Sequence, residues 1–252
     1  MKQVLHGDGL KLKRSSLFVV IVLVPLVVLA YEWLNITYRG EYVQKQADMF
    51  KASSMWQYLL FDNSMLFGLG FPLAVTIMAS IIANTEHQTN SWKQTLVLPV
   101  SRIKIYFSKF IWLFNSLLVT ATIFVIGMVA LGKALGFEGP VPWGLLIGDS
   151  YVMLLTAMPI MSLQLWLSIT YKNQAFSILI GTVSSIVGLF LAAGTATRWL
   201  PLAYPSQSST VILQYDGLGI NPDLPVFIVA NVFVGMLLLI IGAFHFKKRD
   251  VL

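Results

Sequence analysis

Two stretches of this chain, residues 63–85 and 110–132, run for more than twenty residues each without a single Asp, Glu, Lys or Arg. A helix of about 20 apolar residues crosses the hydrocarbon core of a bilayer. A charge placed at mid-bilayer costs at least about 2.5–3.5 kcal/mol. Runs this long and this free of charge are therefore lipid-spanning segments. Four more follow the same rule: 15–31, which Leu34 extends if Glu32 lies near the far interface, then 150–171, 173–197 and 224–246. Only 11% of the residues are charged, against about 25% in a soluble domain. The expected fold is an all-α membrane protein with six transmembrane helices.

The basic residues set the orientation. Lys2, Lys11, Lys13, Arg14, Lys93, Arg102, Lys104, Lys109, Lys172, Lys247, Lys248 and Arg249 fall on one side of such a six-span chain. Arg39, Lys45, Lys51, Lys133 and Arg198 fall on the other. Positive residues favour the cytoplasmic face, which puts both termini there, in the cell membrane. The division is a cytoplasmic basic N-terminus (1–14), one six-helix domain (15–246) and a cytoplasmic basic tail (247–252). No small-x-small cleavage pattern follows the first run, so it reads as a retained span and not a signal peptide. Pro25 and Pro72 should bend the first and second spans, and Pro159 lies inside the fourth.

The outer connections differ in kind. Residues 35–62 mix charges with Met49, Phe50, Trp56 and Tyr58, which suggests a short helix on the outer surface. Residues 133–149 read as a compact loop, because Gly136, Gly139, Pro140 and Pro142 mark turns. Residues 198–225 are too polar to span and too apolar for a plain loop. A semi-buried pair of short helices between the fifth and sixth spans fits them, and so does a surface loop with two short helices. The fifth span is rich in Gly, Ser and Thr, including Gly181 and Gly188, as tight helix packing requires.

Chemistry is sparse. The chain has no cysteine, which removes disulfides, thiolate catalysis and thiolate metal ligands. It has no GxxxxGK[ST] phosphate loop and no HExxH, and its three histidines fall separately at membrane edges. Neither metal nor cofactor is expected in this chain, and it reads as a non-enzyme. Asn115, Gln164 and Asn231 are polar groups within spans, best read as interhelical hydrogen bonds. A membrane scaffold with no energy source of its own suits a subunit driven by a separate ATPase.

The feature exposed to such a partner is residues 85–109, TEHQTNSWKQTLVLPVSRIKIYFSK, a polar and basic island between the second and third spans. Trp92 and Leu96, at i and i+4, share a helix face. Pro99 ends that helix, and Ser101 can cap the next one. The island resembles the first cytoplasmic loop of ABC transporter permeases of the type-two, drug-exporter family. That family has a Glu near the inner end of the second span, then a coupling helix, then a Leu-Pro-x-Ser-Arg-like exit. Glu86, the stretch 91–98 and Pro99-Val-Ser-Arg102 occupy those places, with Trp92 and Gln94-Thr95 where the family often has Gly-Thr. The motif covers about 20 residues, the layout the whole chain. Its size and large first outer loop look most like the branch that gives immunity to lantibiotics or bacitracin-like peptides, a form of antibiotic resistance.

The resemblance implies an exporter. Two permeases, identical or sister chains, would pair. Two cytoplasmic ABC ATPases, which hold ATP and Mg, would dock through Glu86, Trp92, Lys93, Leu96, Leu98, Pro99 and Arg102. Glu86 is expected to pair with Arg102 or Lys104. An amphipathic peptide, drug or lipid-like substrate would leave against the second and fifth spans. The rival is a membrane-embedded structural or assembly factor without transport activity.

Overall fold

The computed structural model describes residues 1–88 and 100–248. Eight α-helices account for most of it: α1 (Lys2–Leu12), α2 (Leu17–Met49), α3 (Met55–Gln88), α4 (Arg102–Ala134), α5 (Trp143–Thr156), α6 (Met158–Thr170), α7 (Gln174–Ala192) and α8 (Leu224–Lys248). Five of them, α2, α3, α4, α7 and α8, are each long and apolar enough to cross a membrane. The pair α5 and α6, bent by 45°, makes a sixth span. The chain is an all-α integral membrane protein, as its charge-free runs require.

The connection between the first two spans is not the short surface helix expected for 35–62. Nothing between Tyr31 and Met49 breaks a helix except Gly40, so α2 simply continues past its apolar part and runs for 33 residues in all. Arg39 alone departs from helical angles, at φ −124° and ψ 20°, and marks a kink there. The helix ends in a Schellman motif. Lys51 takes φ +51°, Ala52 N–H donates to the Ala47 carbonyl at 2.9 Å, and Lys51 N–H donates to Asp48 at 3.1 Å. Ser54 then opens α3, accepting from Gln57 N–H at 3.3 Å, while Gln57 Oε1 reaches back to Ser53 N–H at 2.7 Å.

Pro25 and Pro72 both lie inside helices. Pro25 has no amide proton for the Ile21 carbonyl. Thr120 of α4 supplies one in part, its hydroxyl shared between Ile21 O at 3.2 Å and Ser116 O of its own helix at 3.0 Å. Residues 133–149 are shorter as a loop than expected. A second Schellman turn at Gly136 (φ +75°) closes α4, and α5 already begins at Trp143. The fourth span then breaks at Ala157, with Pro159 in the first turn of α6.

Residues 198–225 are semi-buried but do not form the expected pair of short helices. Two single 3₁₀ turns, Thr197–Trp199 and Tyr204–Gln207, lead into an antiparallel hairpin of β1 (Val211–Gln214) and β2 (Gly217–Ile220), with Gln214 opposite Gly217. This cap is pinned to α5 by Asp149. The fully buried carboxylate accepts from Thr210 N–H at 2.8 Å, Thr210 Oγ1 at 3.0 Å and Ser209 Oγ at 3.2 Å. The expected tight packing of α7 is present. A Cβ on Gly188 would lie 2.2 Å from the Leu202 carbonyl, and one on Gly181 would lie 2.3 Å from Thr76 Oγ1.

The main core lies between α2, α3, α4, α5, α6 and α8, around Val75, Met78, Ile82, Leu113, Met161 and Leu239. A smaller cluster at the far end joins Trp56, Leu60, Phe124, Met128 and Val211. The end that carries α1, the close of α3, the start of α4 and the close of α8 is called the basic end below.

Candidate functional site

At the basic end, charged side chains that are individually costly to bury are brought together by three helices. Gly9 lets α1 lie against α4: a Cβ there would stand 2.7 Å from the Trp112 ring. Trp112 Nε1 donates to the Leu5 carbonyl at 3.1 Å and fixes the contact. The Gly residues of α1 should weaken an isolated helix. Here tertiary contact outweighs that cost, and α1 buries Leu12 and Asp8.

Lys109 of α4 is 0% exposed. Its ammonium donates to Asp8 Oδ1 of α1 and to Glu86 Oε1 of α3, each at 2.7 Å. Ser108 donates to the second Asp8 oxygen at 2.6 Å. Lys11 completes the group, reaching Glu86 Oε1 at 2.9 Å and Oε2 at 3.0 Å. Among the described residues, two carboxylates face two ammonium groups and their charges balance. A buried charge is tolerated only when paired and hydrogen-bonded, and breaking such a pair from one side costs about 3–5 kcal/mol.

Glu86 was expected to meet Arg102 or Lys104. The structure corrects this: Lys11 and Lys109 hold it, while Arg102 Nη1 donates to the Lys247 carbonyl of α8 at 3.3 Å. Ser101 caps α4 as expected, accepting from Lys104 N–H at 3.3 Å. Trp92, Lys93, Leu96, Leu98 and Pro99 lie outside the described residues. Their two shoulders do not. Glu86 stands two residues before the end of α3, and Arg102 begins α4.

The same end is tied to the other spans. The His87 ring donates to the Ser168 carbonyl of α6 at 3.1 Å. Ser80 donates to Gln174 of α7 at 3.0 Å, and Gln174 Nε2 in turn reaches Ser168 O and Tyr171 O. Gln164 bridges α6 and α7 through Ser177 at 2.8 Å, the interhelical role expected of it. Asn231 instead bonds within its own helix, to Phe227 O, and Asn115 is exposed on the bundle surface.

Sequence reasoning singled out Glu86 but not Asp8 or Lys109 as its neighbours. The available signal was weak: Asp8 is the sole acid in an otherwise basic N-terminus, and Lys109 touches the start of an apolar run. Residues 8–188 match the family model described as ABC-2 family transporter protein. Comparison with curated proteins and with solved structures finds no match.

Proposed function

The chain belongs to the ABC-2 transporter family as a membrane permease, and from that premise we propose that it is the permease subunit of an ATP-driven exporter. The family implies association with an ABC ATPase. In our reading the ATPase docks from the cytoplasm on residues 89–99, and both chain termini lie on that side. Two permeases pair, and an amphipathic peptide or lipid-like substrate leaves between them along α3 and α7. The long α2 and its outer turn favour the lantibiotic- or bacitracin-immunity branch, because they give such a peptide a large extracellular surface to meet. The protein's part is mechanical, with ATP and Mg held by the partner.

The observation that carries this is the buried network at the basic end. A push on the segment 89–99 reaches α3 through its end at Gln88 and α4 through its start at Arg102. Lys109 joins those two helices and α1 within one buried ion cluster. The helices flanking the docking segment therefore move together, not apart. Because α3 and α4 are unbroken over 34 and 33 residues, each a length of about 50 Å, the displacement arrives at the far face.

Leu96→Asp tests the docking. It should abolish stimulation of the partner's ATP turnover and protection of cells against peptide, with normal membrane expression. A variant that still stimulates and still protects overturns the coupling role. Recovery of the chain alone from several mild detergents would instead favour an assembly factor.

A further inference from the structure

Towards the far half of the membrane, two buried side chains carry acceptor oxygens without donors. Glu32 lies about 22 Å along α2 from Leu17, which is inside the roughly 30 Å hydrocarbon thickness. It is 0% exposed, and neither carboxylate oxygen has a hydrogen-bond partner. Asp62 of α3 stands close enough to repel it. Asn63 is fully buried too: its amide nitrogen is spent on Leu59 O at 3.0 Å, and its Oδ1 is unpartnered. Arg39 acts on Asp62 from the solvent side, but it donates to Asn35 at 3.4 Å and lies 4.4 Å over the Tyr42 ring. Tyr58 reaches Asp62 only at 3.5 Å.

Directly below these groups is an apolar cleft between α2, α3, α4 and α5, with an empty volume of about 520 Å³ including its open mouth. Pro25 and Val28 line it from α2, and Glu32 continues that row by one turn. Leu66 and Phe67 line it from α3, one turn past Asp62 and Asn63. Ser150, whose buried hydroxyl is also unpartnered, lines the α5 side.

We propose that this is a binding site for a cationic amphiphile, with a primary ammonium held by Glu32, Asp62 and the Asn63 carbonyl and the apolar tail in the cleft beneath. A buried carboxylate without a donor is costly unless it takes up a proton or a cation completes it. An ammonium supplies three donors and no acceptor, which matches the unpartnered oxygens of Glu32 and Asn63. Apart from Thr120, Ser150 and Asp149, whose carboxylate is already bonded to Ser209 and Thr210, the walls are apolar and accept a hydrocarbon tail. Only the ligand's status as cargo rests on the export reading; binding itself is measured on the chain without an ATPase.

The test uses the full chain in phosphatidylcholine nanodiscs, with dodecylammonium as probe and calorimetry as readout. Dodecylammonium should bind saturably, and dodecanol and propylammonium about tenfold or more weakly. Glu32→Gln should weaken dodecylammonium about tenfold while leaving dodecanol unchanged and the thermal midpoint at or above that of the unaltered chain. Gly70→Leu adds bulk where a Cβ meets nothing within 4 Å, so it should fold and block the tail. Equal binding by Glu32→Gln and the unaltered chain overturns the site, as does dodecanol binding as tightly as the amine. Displacement by calcium would assign the site to inorganic cations, and displacement by added phosphatidylethanolamine to the membrane's own aminolipid; either overturns it. A chain that binds as expected but leaves cells unprotected refutes the export reading alone.

Discussion

Removing the Lys109 ammonium takes a shared cation from two buried carboxylates, Asp8, which keeps Ser108, and Glu86, which keeps Lys11. Lys109→Met should therefore cost about 3–5 kcal/mol, read as a lower thermal midpoint in detergent. Adding Asp8→Asn should recover part of the loss, since the two sites share one interaction. A second pair is sharper because one change cancels the need for the other. Thr120→Val removes the hydroxyl that serves the Ile21 carbonyl beside Pro25, and should cost about 1 kcal/mol. In a Pro25→Ala background the same change should cost little, because the backbone N–H restored at that position then serves the carbonyl itself. A double-mutant cycle that shows plain additivity would refute this account. At this scale the sequence announced Glu86 and the Ser101 cap, both local patterns. It did not announce Asp8 with Lys109, because the pair is separated by 101 positions and no local rule relates them.

Among the elements, the outer cap shows how a single carboxylate organises a segment with little core of its own. Asp149→Ala strips three donors of their acceptor. It should cost about 1–3 kcal/mol and expose the hairpin tip at Tyr215 to limited proteolysis, which the unaltered chain resists for longer. Cleavage at the same rate in both would show that the cap is held by other contacts. The spans themselves were legible, since charge-free length reports directly on lipid. The hairpin was misread as helix because Val211, Ile212 and Leu213 form an apolar run too short to reveal a period. The better signal was Asp216-Gly217, a turn pair, with Gly217 at φ +127°. The extent of α2 was misjudged for the opposite reason. Loss of hydrophobicity after Tyr31 marks the end of the membrane, not the end of the helix.

For the whole molecule, the exposed apolar faces suit lipid and, in the pairing proposed above, a second permease. Leu179, Val183 and Phe190 of α7 all point outward, away from the face that Gly181 packs on α3. The chain has no cysteine, so one introduced residue is an unambiguous probe. Leu179→Cys should give an oxidised dimer in native membranes. A monomer under strong oxidation, with an equivalent site on α8 cross-linking instead, would place the pairing face elsewhere.

The break at Ala157 separates two attachments that an unbroken span would share. Above it, α5 is fastened through Asp149 to the outer cap. Below it, α6 is fastened to α8, where Ser162 donates to Gly235 O at 2.9 Å and a Cβ on Gly235 would meet Met158 at 2.5 Å. A rod bent by 45° at one residue carries neither thrust nor torque well from one leaflet to the other. The two halves thus serve as a slack joint beside two stiff pushrods, α3 and α4. In the export reading proposed above, the far half of the fourth span is then expected to move while the half packed on α8 stays seated, so that a gate on one side need not open the other.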